Sequence, residues 1–276
     1  MNDAPALLQD APAIWLYALA EDGFDGHGRE ATLQGLSGVA GAEVRLTDAG
    51  GLTAVVSPVS LDDFGEEALR RNLEDLAWLE AVARAHHGVI AATARLFTLL
   101  PMRLATVYSC EESMRAGITE DAAWFRSALE RLRSRTEWGV KAYAAPAAPA
   151  SAPDKPAPAA EGDVAAAGLA YLRRRREQLS ASHDAARDAA DSARAVHAEL
   201  ARQAVDTRLH PPQSAQLSGR SESMVLNAAY LLDDDRAEDF ATAVQALGDR
   251  NPRLLVVLTG PWPPYSFAAP EARDDD

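Results

Sequence analysis

Short apolar runs and strict alternation mark strands in this chain, and spacings of three and four residues mark helices. Ile14–Leu19 is an unbroken apolar run and predicts a first strand. The following stretch to Gly41 is rich in glycine and predicts at most a weak helix. Val44 and Leu46, then Leu52, Ala54 and Val56, alternate on two further strands. Asp48-Ala-Gly-Gly51 between them suits a hairpin turn. A helical region follows to about Ala94, with Asp63-x-x-Glu66 as a capping pattern, Leu69, Leu73 and Leu76 in register, and a break near Asn72. Leu99–Tyr108 reads as a fourth strand. Thr119 is placed to cap a helix whose inner face carries Phe125, Leu129 and Leu132. Trp138, Val140 and Ala142 alternate on a fifth strand. The order is an α+β pattern, ferredoxin-like βαββαβ with a degraded first helix, over residues 1–143.

From 144 to 163 the composition collapses to alanine and proline, which reads as an extended linker with nothing to bury. Residues 164–276 then predict a long helix and a small α/β domain. Val164 to about Gln203 would make a helix roughly 60 Å long. Leu172, Leu179, Ala186, Ala193 and Leu200 recur at every seventh position, a thin coiled-coil-like seam that needs a partner surface. A strand at Met224–Leu232, a helix at Arg236–Leu247 and a tail strand at Leu254–Leu258 close the domain.

After that strand the chain reads Thr259-Gly-Pro-Trp-Pro-Pro-Tyr-Ser-Phe267. Its prolines hold the backbone near polyproline II, which sets Trp262 and Tyr265 on one ridge. Such a segment either docks on its own protein, burying Trp262, Tyr265 and Phe267, or offers a PxxP ligand to an aromatic groove. The tail resembles the C-terminal signature of the gas vesicle protein GvpL/GvpF family. Leu100-Pro-Met-Arg-Leu-Ala-Thr-Val107, Glu137-Trp-Gly-Val-Lys141, Gly168-Leu-Ala-Tyr-Leu172 and Asn227-Ala-Ala-Tyr-Leu231 resemble the same family, in its order and across nearly the whole chain. One departure is Leu104-Ala105, where the family usually has Phe-Gly.

Charge and cysteine content narrow the classes. A net charge of −14 excludes a phosphate-backbone binder, so no nucleic acid is expected. Cys110 is the single cysteine, which fits a reducing compartment. The chain shows neither a signal-peptide pattern nor an apolar run of the roughly 20 residues that span a bilayer, so a cytoplasmic protein without lipid-membrane contact is expected.

The candidate constellations read better as structure than as chemistry. Gly26-His-Gly28, with Asp48 downstream, lacks the direct strand-to-helix turn of a dinucleotide site. His86 lies on the apolar face of its helix, and His87 points about 100° away, so the two cannot share a metal. A Cys110–His86 pair has neither an orienting acid nor an oxyanion hole that the sequence locates. His183 and His197 lie roughly 21 Å apart along a helix. Asp233-Asp-Asp235 reads as the cap of the next helix, with Glu238 three residues on. The basic run Arg173–Arg176 reads as a solvated face, since Arg173–Glu177 and Arg187–Asp191 are spaced to pair at i,i+4.

Arg103 is mid-strand and needs a partner. Glu137 and Lys141 share a face of the last strand of that domain, so an Arg103–Glu137 pair is expected, as structural glue or as a rim charge beside Trp138 at a partner site. No catalytic residue, cofactor, metal or small-molecule substrate is expected. The resemblance implies a minor structural or accessory protein of gas vesicles, contacting the hydrophobic shell protein and other accessory gas vesicle proteins. The alternative is an enzyme or small-molecule sensor using the first domain.

Overall fold

The computed structural model describes residues 12–21, 33, 35–145 and 164–268. Most of the glycine-rich stretch after the first strand, Gly26-His-Gly28 included, and nearly all of the Ala/Pro linker lie outside them; the described end of that stretch holds a short 3₁₀ turn, Val39–Gly41. The chain divides into two compact units that are not sequential blocks. One comprises residues 1–137 and 261–276, the other 138–260.

In the first unit the apolar run forms β1 (Ala13–Glu21), in which every residue from Ala13 to Ala20 is buried. Burial on both faces is what a continuous apolar run, rather than an alternating one, requires. β1 lies between β3 (Leu52–Val59), its hairpin partner β2 (Arg45–Asp48) beyond, and β4 (Leu99–Pro101), giving the order β2-β3-β1-β4. These pairs are antiparallel. The hairpin turn holds Gly50 and Gly51 at φ of 67° and 71°, a conformation that explains the two glycines. A register shift between Leu16 and Ala18 takes Tyr17 out of the pairing with β3. Its hydroxyl then accepts from the Val39 N–H at 2.7 Å and bonds Ser57 Oγ at 2.8 Å.

The expected fourth strand is broken. Leu99–Pro101 and β5 (Val107–Tyr108) both pair with β1, but residues 102–106 loop out between them. Ala105 there takes φ of 64°, a left-handed conformation that no strand tolerates. The helical region is in three pieces: α1 (Leu61–Phe64), α2 (Glu66–Asn72) and α3 (Leu76–Ala94). Ser60 and Asp75, not Asp63, supply the capping oxygens. The expected leucine register also fails, since Leu73 and Leu76 are exposed while Val82, His86, Val89, Ile90 and Thr93 form the inner face of α3. Cys110 caps α4 (Glu111–Glu120), and α5 (Ala122–Leu132) starts beyond a kink at Asp121. Thr119 is therefore no cap; its hydroxyl donates to the Arg115 carbonyl. Phe125, Leu129 and Leu132 are buried as the periodicity requires.

The strand expected to close the first domain belongs instead to the second sheet. β6 (Arg135–Ala144) lies between β8 (Met224–Asp233) and β9 (Leu254–Trp262), in the order β7-β8-β6-β9 with β7 (Asp206–Leu209) at the edge. Against this sheet pack the end of α6 (Val164–Ala201) and, after the short α7 (Ala215–Ser218), α8 (Ala237–Arg250). Ala189, Ala193, Val196 and Leu200 of α6 are buried with Tyr230, Phe240 and Val244. The earlier seam positions Leu172 and Leu179 are exposed, so the expected seam is occupied only at its C-terminal end.

Candidate functional site

A groove of about 620 Å³ opens on the first unit, and three segments build it. The loop between β4 and β5 brings Pro101, Met102, Arg103 and Thr106. The kink between α4 and α5 brings Asp121, Trp124 and Phe125, and the tail brings Tyr265 and Ala268. Local structure sets each wall. Adjacent positions on α5 point apart, so Phe125 turns inward and is 8% exposed while Trp124 stays 36% exposed at the rim. Their rings meet edge to face at 5.0 Å. Met102 is anchored through its backbone N–H, which donates to the Tyr17 carbonyl at 2.8 Å.

The tail wall is fastened by a carboxylate. Glu137 is buried and accepts from the Ser266 N–H at 2.8 Å and the Ser266 hydroxyl at 2.7 Å. Burial raises its carboxyl above the usual range, an effect that the two hydrogen bonds oppose. Arg131 donates to the Phe267 carbonyl at 2.8 Å. A short 3₁₀ turn, Tyr265–Phe267, then buries Phe267 completely. Tyr265 is half-buried; burial and the Glu137 charge push its phenol up to about 12, and its hydroxyl bonds His87 Nδ1 at 3.2 Å. Trp262 packs on the same His87, ring to ring at 5.9 Å, yet is 43% exposed. The tail is thus docked, as one of the two readings required, but through Pro263, Pro264 and Phe267 rather than through Trp262.

The expected Arg103–Glu137 pair does not form. Glu137 is engaged by Ser266, whereas Arg103 is exposed at the groove and makes no ion pair among the described residues. The reason is the loop at 102–106, which takes Arg103 off the strand on which that pair was argued. Lys141 donates to the Gln213 side chain at 3.0 Å. Trp138 is half-buried against the core of the second unit, and its indole N–H has no hydrogen-bond partner among the described residues.

The remaining candidates resolve as structure. Trp15 Nε1–H donates to His86 Nδ1 at 2.9 Å, which leaves the proton on Nε2 to donate to the Met102 carbonyl at 3.1 Å. Burial holds this imidazole neutral, its pKa down at about 4. Cys110 serves as a helix cap: its sulfur accepts from the Ser113 N–H at 3.4 Å in a capping box. That hydrogen bond lowers the thiol's pKa. His197 bonds the Tyr230 hydroxyl at 2.8 Å. Among the described residues no group of three or more His, Cys, Asp or Glu is arranged to hold a metal ion. No described helix is long and apolar enough to cross a membrane.

Two features escaped the sequence. Glu111 gathers Arg45 at 2.7 Å, Thr47 at 2.9 Å and Arg115 at 2.7 Å, a network that ties β2 to α4 and holds its carboxyl at about 2. The i,i+4 spacing of Glu111 and Arg115 was its only visible trace. The groove had none, because its walls lie far apart in sequence.

Comparison with known proteins gives a consistent result. The family model for gas vesicle synthesis protein GvpL/GvpF matches residues 13–269. The chain is 44% identical over 236 residues to gas vesicle protein L of Streptomyces sp. (strain CB03234), covering 85% of this chain and 86% of that one. It is 28% identical over 231 residues to gas vesicle protein F of the same strain, covering 81% and 87%. The fold matches the crystal structure of gas vesicle protein GvpF from Anabaena sp. PCC7120 with a TM-score of 0.61 at 20% identity, over 94% of this chain and 97% of that one.

Proposed function

The chain belongs to the gas vesicle synthesis protein GvpL/GvpF family, and from that premise we propose that it is an accessory or minor structural gas vesicle protein. In this reading it works in the cytoplasm, binding the hydrophobic shell protein and other gas vesicle proteins while the vesicle is assembled. It performs no catalysis. The single observation that carries the reading is the groove of the first unit, walled by Met102, Trp124, Phe125 and Tyr265 and open among the described residues. Shell subunits that expose apolar surface would otherwise associate with one another. A strongly acidic partner, here of net charge −14, with a concave apolar face shields such a surface and keeps the complex dispersed. We read the strand order of the first unit as a ferredoxin-like arrangement in which Leu99–Pro101 takes the closing position.

The test is recovery of the tagged full-length chain from cells building vesicles. The shell protein and other vesicle proteins are expected to accompany it. Recovery of the chain without any vesicle protein would refute the proposal. A second reading, a small-molecule sensor, is favoured by the groove's volume, which lies in the range of ligand pockets. A rise in melting temperature with one compound of a nucleotide and metabolite panel would support it.

A further inference from the structure

We infer that the groove of the first unit seats an apolar segment of another protein, one that carries a carboxylate beside its anchoring side chain. The carboxylate pairs with Arg103, and the anchor lies against Trp124, Phe125 and Met102. The inference rests on the binding role proposed above and identifies the surface and the chemistry of the segment that it takes.

Three observations converge on this assignment. The first is the rim aromatic. Trp124 leaves 36% of its surface in water beside a Phe125 that is 8% exposed, although one more apolar neighbour would cover it. Exposed tryptophan at the mouth of an apolar groove is the residue type that dominates binding energy at protein interfaces.

The second is the state of Arg103. Several arginines of this unit are committed within the chain. Arg45 and Arg115 hold Glu111, Arg133 holds Glu21, Arg126 donates to the Gly50 carbonyl and Arg131 to the Phe267 carbonyl. Arg103 lines the groove and makes no ion pair among the described residues. Its guanidinium is a fork suited to a carboxylate, and one that makes no ion pair among the described residues at an apolar groove fits an acidic group on a partner.

The third is polarity across the site. Arg103 comes from the loop wall and Asp121 from the helix wall, where the Asp121 charge also helps to raise the phenol of Tyr108. A bound segment is therefore oriented, acid toward the loop and donor or base toward the kink. A nucleic acid, uniformly anionic, meets Asp121 and the overall negative charge. A chain segment with mixed chemistry does not.

The experiment uses the full-length protein and two variants, Arg103→Glu and Trp124→Ala. Arg103 is exposed, so Arg103→Glu is expected to melt with the wild type; Trp124 is 36% exposed, so Trp124→Ala is expected to lower the melting temperature by no more than a few degrees and to stay folded at the assay temperature. The probes are the purified shell protein and peptides tiled along it. Binding of the shell protein, and of a peptide with Asp or Glu next to an apolar anchor, should weaken at least about tenfold in each variant. Changing the acid of that peptide to Lys should restore binding to Arg103→Glu and abolish it to the wild type. If the wild type binds the shell protein and both variants bind it equally well, the groove is not the site, although the proposed function stands. If the wild type retains no shell protein, the proposed function itself falls. A change in oligomeric state in Arg103→Glu, with shell binding intact, would make a second copy of this chain the occupant and overturn the assignment.

Discussion

Ala105 is held at φ of 64° in the loop that breaks the fourth strand, where an alanine pays in steric strain for a turn that glycine makes freely. Ala105→Gly should therefore raise stability by about 0.5–1 kcal/mol in urea titration, the relieved strain exceeding the extra freedom of the unfolded glycine. A loss of the size usual for Ala→Gly elsewhere would contradict the strain account. In the tail, Phe267→Ala should cost about 3–5 kcal/mol, because the ring is fully buried. Trp262→Ala should cost about 1 kcal/mol or less, because 43% of that residue is already in water. A loss at Trp262 as large as that at Phe267 would mean that Trp262 anchors the tail as firmly as the buried ring does. The density of aromatic residues raised docking as one of two readings; proline spacing could not show which ring goes inside, since a 3₁₀ turn at Tyr265–Phe267 decides it. His86 gives a pH prediction. Its folded pKa of about 4 lies below the ordinary 6.5, so the unfolded chain binds the extra proton first. Its contribution is complete above pH 6.5 and is lost as the pH falls toward 4, roughly 3 kcal/mol in all. Glu137 acts in the opposite sense: its raised carboxyl favours the fold at low pH and loses that contribution as the pH rises above about 4.5. The difference between wild type and His86→Gln across pH 7 to 4 isolates the histidine, and a constant difference would contradict the assignment.

At the scale of elements, strands were legible where their apolar runs were long. β1, the β2–β3 hairpin and β8 form where the pattern placed them, and β9 starts there but runs past the expected end at Leu258 to Trp262. What the pattern lacked was pairing. Trp138, Val140 and Ala142 alternate as a strand must, but alternation does not say which sheet takes the strand, and β6 pairs in the second. The break at 102–106 was hidden for a similar reason, since Leu104 and Val107 continue the apolar character while the backbone leaves the ladder. The long helix shows how far a period can mislead. Leu172, Leu179, Ala193 and Leu200 fit one heptad, yet only the last two meet a core. Leu200→Ala should cost about 2–5 kcal/mol, whereas Leu179→Ala should stay within about 0.5 kcal/mol in the purified protein. A large loss at Leu179 would show that the exposed half of the helix is packed in solution.

Over the whole molecule, charge and family blocks said more than any single motif. The absence of a metal-ligand or nucleophile spacing pointed away from chemistry, and a net charge of −14 pointed away from nucleic acid. The groove was not legible, because Arg103, Trp124 and Tyr265 belong to three separate stretches that only the fold brings to one surface. The account comes down to one claim, that the folded chain binds the apolar surface of shell subunits before they join the wall. Sedimentation of purified shell protein, with and without an equimolar amount of the full-length chain, tests it most directly. The account predicts that shell protein alone pellets, and that the chain holds it in the supernatant as a complex. Shell protein that pellets to the same extent in the presence of the folded chain would contradict it.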